Sequence, residues 1–238
     1  TDEVVVSINP EVVADAGADT AICLGDSATL TATGGGSYLW NTGETSASIT
    51  VSPTADTTYS VTVTSAEGCV DSDDVVVSIN PEVVANAGPD VAICAGDSVT
   101  LTATGGGTYV WSNGETTESI TVSPIAETGY TVTVTSDDGC TATDQVIVSI
   151  NPEVVANAGA DTAICLGDDA TLTATGGGSY LWNTGETTAS IMVSPTAQTT
   201  YTVEVTSAEG CTDTDEVVVS INPEVVADAG ADTAICLG

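Results

Sequence analysis

Seven cysteines and 34 carboxylates are the groups in this chain with chemistry to offer, and no lysine, arginine or histidine stands among them. Cys23, Cys94, Cys165 and Cys236 follow one another at 71-residue steps, and Cys69, Cys140 and Cys211 keep the same step. Thiols so spaced can hold zinc or form disulfides. Zinc sites of the usual kind need histidine or closely spaced cysteine pairs, and the chain has neither. The disulfide reading is therefore preferred, with Cys23 to Cys69, Cys94 to Cys140 and Cys165 to Cys211, each closing 46 residues. Such a loop adds roughly 4 kcal/mol in the chain-entropy picture. Cys236 is expected to pair beyond the stretch in hand. Disulfides also place the protein outside the cytosol.

Without a single cation, no carboxylate can find a salt-bridge partner in its own chain. Each must be hydrated, hydrogen-bonded or neutralised by a metal ion, and a hard cation such as calcium suits several carboxylate oxygens. The acids that recur near the copy boundaries are the candidate calcium ligands: Asp73, Glu82 and Asp90 at one junction, Asp144, Glu153 and Asp161 at the next. No EF-hand or glycine-rich calcium-repeat spacing is present, and the competing reading is a set of solvated acids that keep an array soluble. No other cofactor is implied.

The same composition excludes several functions. Phosphate recognition requires lysine or arginine, which removes nucleic acid as a partner. Anionic membrane surfaces are disfavoured, and no apolar run is long enough for insertion. Gly34-Gly35-Gly36 has no lysine after it and reads as a turn rather than a phosphate loop. Asp73-Asp74 offers two carboxylates for glycoside chemistry, but the second copy carries Asp144-Gln145. Trp40, Trp111 and Trp182, one per copy, fit a core better than a sugar platform. No enzyme is expected. Trypsin-like proteases find no cleavage site, and lysine–asparagine crosslinks are impossible.

What must position these groups is a repeat. Pro10, Pro81, Pro152 and Pro223 each head Asn-Pro-Glu-Val-Val, and Thr1 to Gly25 return letter for letter at Thr214 to Gly238. A period of 71 residues means an array of small units, each with its own core. The expected boundaries are 1–9 for the last strand of a preceding unit, 10–80, 81–151 and 152–222 for three full units, and 223–238 for the start of a fourth. Within the first, Ala28, Leu30 and Ala32 alternate with Thr29, Thr31 and Thr33, the period of a half-buried strand. Ser37–Trp40, Ser48–Val51 and the Tyr59-Val61-Val63 alternation follow, and Asp74–Ile79 closes the unit. The expected core centres on Tyr38, Trp40 and Tyr59, with Tyr109, Trp111 and Tyr130, then Tyr180, Trp182 and Tyr201, in the later copies. About seven short strands and one buried tryptophan predict an all-β tandem array of immunoglobulin-like β-sandwiches in an extended rod. The linker is expected to run over about ten residues, Asn80 to Pro89.

Tyr38-Leu39-Trp40-Asn41-Thr42-Gly43-Glu44, then Tyr59-Ser60-Val61-Thr62-Val63 and Gly68-Cys69, resemble the polycystic-kidney-disease-type (PKD-like) branch of these sandwiches. Residues 14–32 resemble repeats of giant surface proteins of Bacteroidota, among them gliding-motility adhesins exported by type IX secretion. The resemblance implies an extracellular stalk or adhesin and no catalytic residue. Asp19-Thr20-Ala21 and Asp26-Ser27-Ala28 look like the O-glycosylation pattern of that group, making Thr20 and Ser27 candidate sites. The function expected is a spacer that carries tension in a cell-surface adhesive filament; the alternative is a self-assembling fibre or sheath. The expected partners are neighbouring units of the same chain and, through regions outside this stretch, surface polysaccharide or another substratum.

Overall fold

The computed structural model describes residues 2–234; Cys236 lies outside them. Among these residues the chain is all-β, with no helix. Each copy contributes six strands. In the first they are β1 (Thr20–Ile22), β2 (Ala28–Thr31), β3 (Ser37–Trp40), β4 (Ser48–Val51), β5 (Thr57–Thr64) and β6 (Val70–Ile79). The second repeats them as β7 (Val91–Ile93), β8 (Val99–Thr102), β9 (Thr108–Trp111), β10 (Ser119–Val122), β11 (Thr128–Thr135) and β12 (Thr141–Ile150). The third has β13 (Thr162–Ile164), β14 (Ala170–Thr173), β15 (Ser179–Trp182), β16 (Ser190–Val193), β17 (Thr199–Thr206) and β18 (Thr212–Ile221). By contact density the chain forms two compact units. One holds the residues up to Pro89 with 100–121 and 129–146; the other holds 90–99, 122–128 and those from 147 onward.

Alternation of apolar and hydroxyl side chains makes each strand two-faced, and two such faces must meet to bury the apolar one. In the first copy one sheet runs β1-β6-β5-β3 and the second pairs β2 with β4. Leu30 and Ile49, cross-strand neighbours in the small sheet, share one buried cluster with Val61, Val63, Val75 and Val77 of the large one. Trp40 is the largest side chain in it and is 1% exposed. Its indole N–H donates to the Ser46 carbonyl at 3.0 Å, and Trp111 and Trp182 make the same bond to Thr117 and Thr188. Tyr59 and Tyr201 are buried; Tyr38, Tyr109, Tyr130 and Tyr180 are half-buried.

The segment before β1 is part of the sandwich, not a linker. Val12, Ala14 and Ala16 are buried, and Asp15 exchanges backbone hydrogen bonds with Thr33 at the edge of the small sheet. A few residues later the chain crosses to the large sheet as β1, which pairs in parallel with β6: Thr20 with Val77, Ile22 with Ile79. With this segment the unit has the seven strands expected of an immunoglobulin-like sandwich. The expected ten-residue linker shortens accordingly. Asn86 bridges to Thr104 and Ala87 is buried, so Pro81 and Glu82, both exposed, are the residues left between sandwiches.

The triple glycine is a close-packed turn. A Cβ on Gly34 would lie 2.4 Å from the Val13 carbonyl oxygen, and one on Gly36 would lie 1.9 Å from that of Thr64. The turn thus wedges between the edge segment of one sheet and the end of β5 in the other.

Candidate functional site

The cysteines do not pair within copies. Cys23 is bonded to Cys140, with Cα atoms 5.6 Å apart, and Cys94 to Cys211, at 5.5 Å; both pairs span 117 positions. The expected pairs Cys23–Cys69, Cys94–Cys140 and Cys165–Cys211 are therefore corrected, and the parallel alignment of β1 with β6 supplies the reason. Cys23 follows the end of β1, level with the end of β6, because the Asn80 N–H donates to the Ile22 carbonyl at 2.9 Å. Cys69 precedes the start of β6. A ten-residue strand separates them, about 30 Å at the rise of extended chain, whereas a disulfide needs Cα atoms within about 7 Å. Cys23 and the linker leave the sheet side by side, and the thiol within reach is the one at the β11–β12 hairpin of the following copy.

That hairpin is built locally. Gly139 donates to the Ser136 carbonyl, Ser136 donates to the Cys140 carbonyl, and the Ser136 hydroxyl accepts from the Cys140 N–H at 3.1 Å. Ser207 holds Cys211 in the same way. Leu24, Pro81, Glu82, Val83, Thr141 and Ala142 line a small cleft beside the first disulfide; Ala95, Pro152, Glu153 and Val154 stand beside the second. Cys140 and Cys211 are buried there, each 6% exposed. Cys69, half-buried, and Cys165, exposed, have no disulfide partner among the described residues.

The recurrent acids have a different employment from the one expected. Asp71 and Asp73 lie on β6 in phase with Val75 and Val77, on the face that meets the core. Their Oδ2 atoms accept the N–H groups of Ala14 at 2.8 Å and Ala16 at 2.9 Å, along the free edge of the small sheet. Alternate residues of an extended edge send their N–H groups the same way, so two acids two positions apart match two donors two positions apart. The third copy repeats both bonds through Asp213 and Asp215. The second keeps only the one from Ala87 to Asp144, because Ala142 replaces the other acid. Asp19, Asp90 and Asp161 accept the N–H groups of Val76, Ile147 and Val218 at 2.8 Å. These are charge-assisted bonds that close the open edges of the sandwiches.

The six expected calcium ligands are therefore not brought together. Asp73, Asp144, Asp90 and Asp161 are spent on backbone donors, and Glu82 and Glu153 are exposed beside the disulfides. Among the described residues, no three side chains of the kind that ligate metals converge. The carboxylate pair Asp73-Asp74 likewise fails to converge, since adjacent strand residues point to opposite faces. Thr20 at the head of β1 and Ser27 before β2 are both exposed. Sequence reasoning missed Asp71, Asp213 and Asp215. The signal was their parity: acids in register with the buried valines of the same strand.

No family model matches this chain, and no curated protein matches it either. Among solved structures, a Ca2+-stabilized adhesin with which an Antarctic bacterium binds ice aligns at 16% identity over 91% of this chain and 75% of its own, with a TM-score of 0.37. Three N-terminal domains of the outer capsid protein Hoc of bacteriophage RB49 align at 17% identity over 90% and 99%, with a TM-score of 0.35. Immunoglobulin domains 1–5 of Sidekick-1 align at 11% identity over 89% of this chain, with a TM-score of 0.30. This chain spans 60% of that Sidekick-1 chain, less than two thirds of its length. Scores of this size describe no shared overall architecture, and the sandwich assignment rests on the strand order and cores above.

Proposed function

We propose that this chain is the repetitive stalk of a long extracellular cell-surface adhesin filament, a spacer that bears tension and presents a distal binding region, in surface adhesion or gliding motility. The observation that carries the reading is the pair of disulfides between successive copies. A spacer under load has to limit how far it lengthens when one of its copies opens, and a covalent tie from one copy to the next does that. Disulfides persist in oxidising surroundings, which supports an extracellular setting. No helix among the described residues is long and apolar enough to cross a membrane. Thirty-four acids with no cation give a surface that repels its own copies, which favours single filaments over bundles.

Immunogold labelling of intact source cells with antibody raised against the repeat tests this. Thin single threads labelled at the surface are expected. Label confined to permeabilised cells overturns the reading, and labelled bundles favour a self-assembled fibre or sheath.

A further inference from the structure

We propose that the cross-copy disulfides make the chain a covalent ladder, in which one broken peptide bond anywhere between Cys23 and Cys211 leaves the chain in one piece. The loop closed by Cys23–Cys140 and the loop closed by Cys94–Cys211 overlap from Cys94 to Cys140. Every peptide bond from Cys23 to Cys211 therefore lies inside at least one closed loop. Pairing within copies would have left 69–94 and 140–165 as single threads. Those stretches contain Pro81-Glu82 and Pro152-Glu153, exposed and outside any strand, where proteolytic attack concentrates. The ladder thus covers the weakest points of the backbone. Hydrolysis of a bond there adds one water, leaving a carboxylate and an amine, and leaves both disulfides intact.

The same connectivity shortens the taut path. With all strands pulled out, Cys23 and Cys211 are joined through one disulfide to Cys140, back along 46 residues to Cys94, and through the other disulfide. The backbone alone would run 188 residues between them. At about 3.4 Å per residue, the reach falls from roughly 640 Å to roughly 160 Å. This inference follows from the cysteine connectivity alone and stands apart from the reading as an adhesin stalk.

Because the chain has no lysine or arginine, one introduced arginine is its only tryptic site. Glu82→Arg and Glu153→Arg place that site in the two linkers, and Glu224→Arg places it beyond both loops. Each variant is purified under oxidising conditions, its free thiols are alkylated, and it is digested in dilute urea so that a folded linker cannot shield the site. Expected without reductant is one species for Glu82→Arg, for Glu153→Arg and for the doubly cut double variant, heavier by one water per cut. Adding reductant to the digested Glu82→Arg chain separates residues 1–82 from 83–238, which also proves that the cut was made. Glu224→Arg releases residues 225–238 without reductant. In a Cys140→Ser background, cleavage of the Glu82→Arg variant is expected to separate the chain without reductant, while cleavage of the Glu153→Arg variant does not. Fragments released without reductant from Glu82→Arg or Glu153→Arg alone overturn the ladder. Retention of the Glu82→Arg fragments in the Cys140→Ser background overturns it equally.

Discussion

Residues 1–25 and 214–238 carry the same letters, and among the described residues, 2–25 and 214–234, the structure treats their two halves in opposite ways. Val217 and Val219 are buried in β18, while their twins Val4 and Val6 are exposed at 87% and 85% and form no strand. Val12, Ala14 and Ala16 are buried, and Thr20–Ile22 is β1; residues 223–234, which repeat the described part of that segment, form no strand and are exposed. The difference is the neighbour. Val217 pairs with Tyr201 and Val219 with Thr162, and Thr20 pairs with Val77. A run of β-branched valines predisposes a segment to extended structure, but edge N–H groups and one apolar face must be covered before the strand is worth forming.

Six substitutions and one change of solvent break or sharpen that contrast. The largest effect is expected for Cys140→Ser, which opens the Cys23–Cys140 loop. The chain-entropy model assigns about 4.7 kcal/mol to loops on the order of 100 residues, read as a fall in the denaturation midpoint under non-reducing conditions. Amide exchange at Thr20–Ile22 should stay slow in this variant, because β6 still covers β1; fast exchange there would mean that the disulfide, not the sheet, holds the segment. Trp40→Ala removes the centre of the first core and should cost about 3–5 kcal/mol. Here residues 12–22 are expected to exchange as fast as residues 223–234, while 154–164 remain protected.

Gly36→Ala should destabilise by more than the ~1–2 kcal/mol of its left-handed backbone, because its Cβ meets the Thr64 carbonyl. Gly35→Ala, with open space around it, should incur the backbone cost alone; equal midpoints for the two would contradict the wedge. Asp73→Ala leaves the Ala16 N–H without its acceptor, at about 1–3 kcal/mol. Asp71→Ala should be milder, since the second copy already has Ala142 at that position. The smallest change is expected from salt. Raising ionic strength screens repulsion among acids that have no cation to offset them, and the thermal midpoint should rise slightly. A falling midpoint would count against that repulsion.

Much of the fold was legible in the residues. Ser37–Trp40 and Ser48–Val51 form strands over the spans their alternation indicates, and Trp40 occupies the core as its single in-phase placement per copy suggested. The edge segment was the part least visible. Glu11 to Asp19 looks like a proline-led connector because its apolar residues are short, mostly alanine, and its donors are satisfied by Asp71 and Asp73 from 57 positions away. No local pattern reveals a partner at that distance. The cysteine pairing was hidden for a related reason. A repeat of 71 makes 46 and 117 equally regular spacings, so periodicity alone cannot choose between a partner in the same copy and one in the next.

The amino-acid order by itself determined the 71-residue repeat, the two-faced strands, the tryptophan at each centre and the absence of any cation to pair with the acids. Those properties depend on side-chain type and on a period of two, which every short segment carries within itself. Only the tertiary structure decided which thiols meet and which carboxylates close which edge. Both depend on β1 running parallel to β6, which puts Cys23 a full strand length from Cys69 and beside the linker to the following copy.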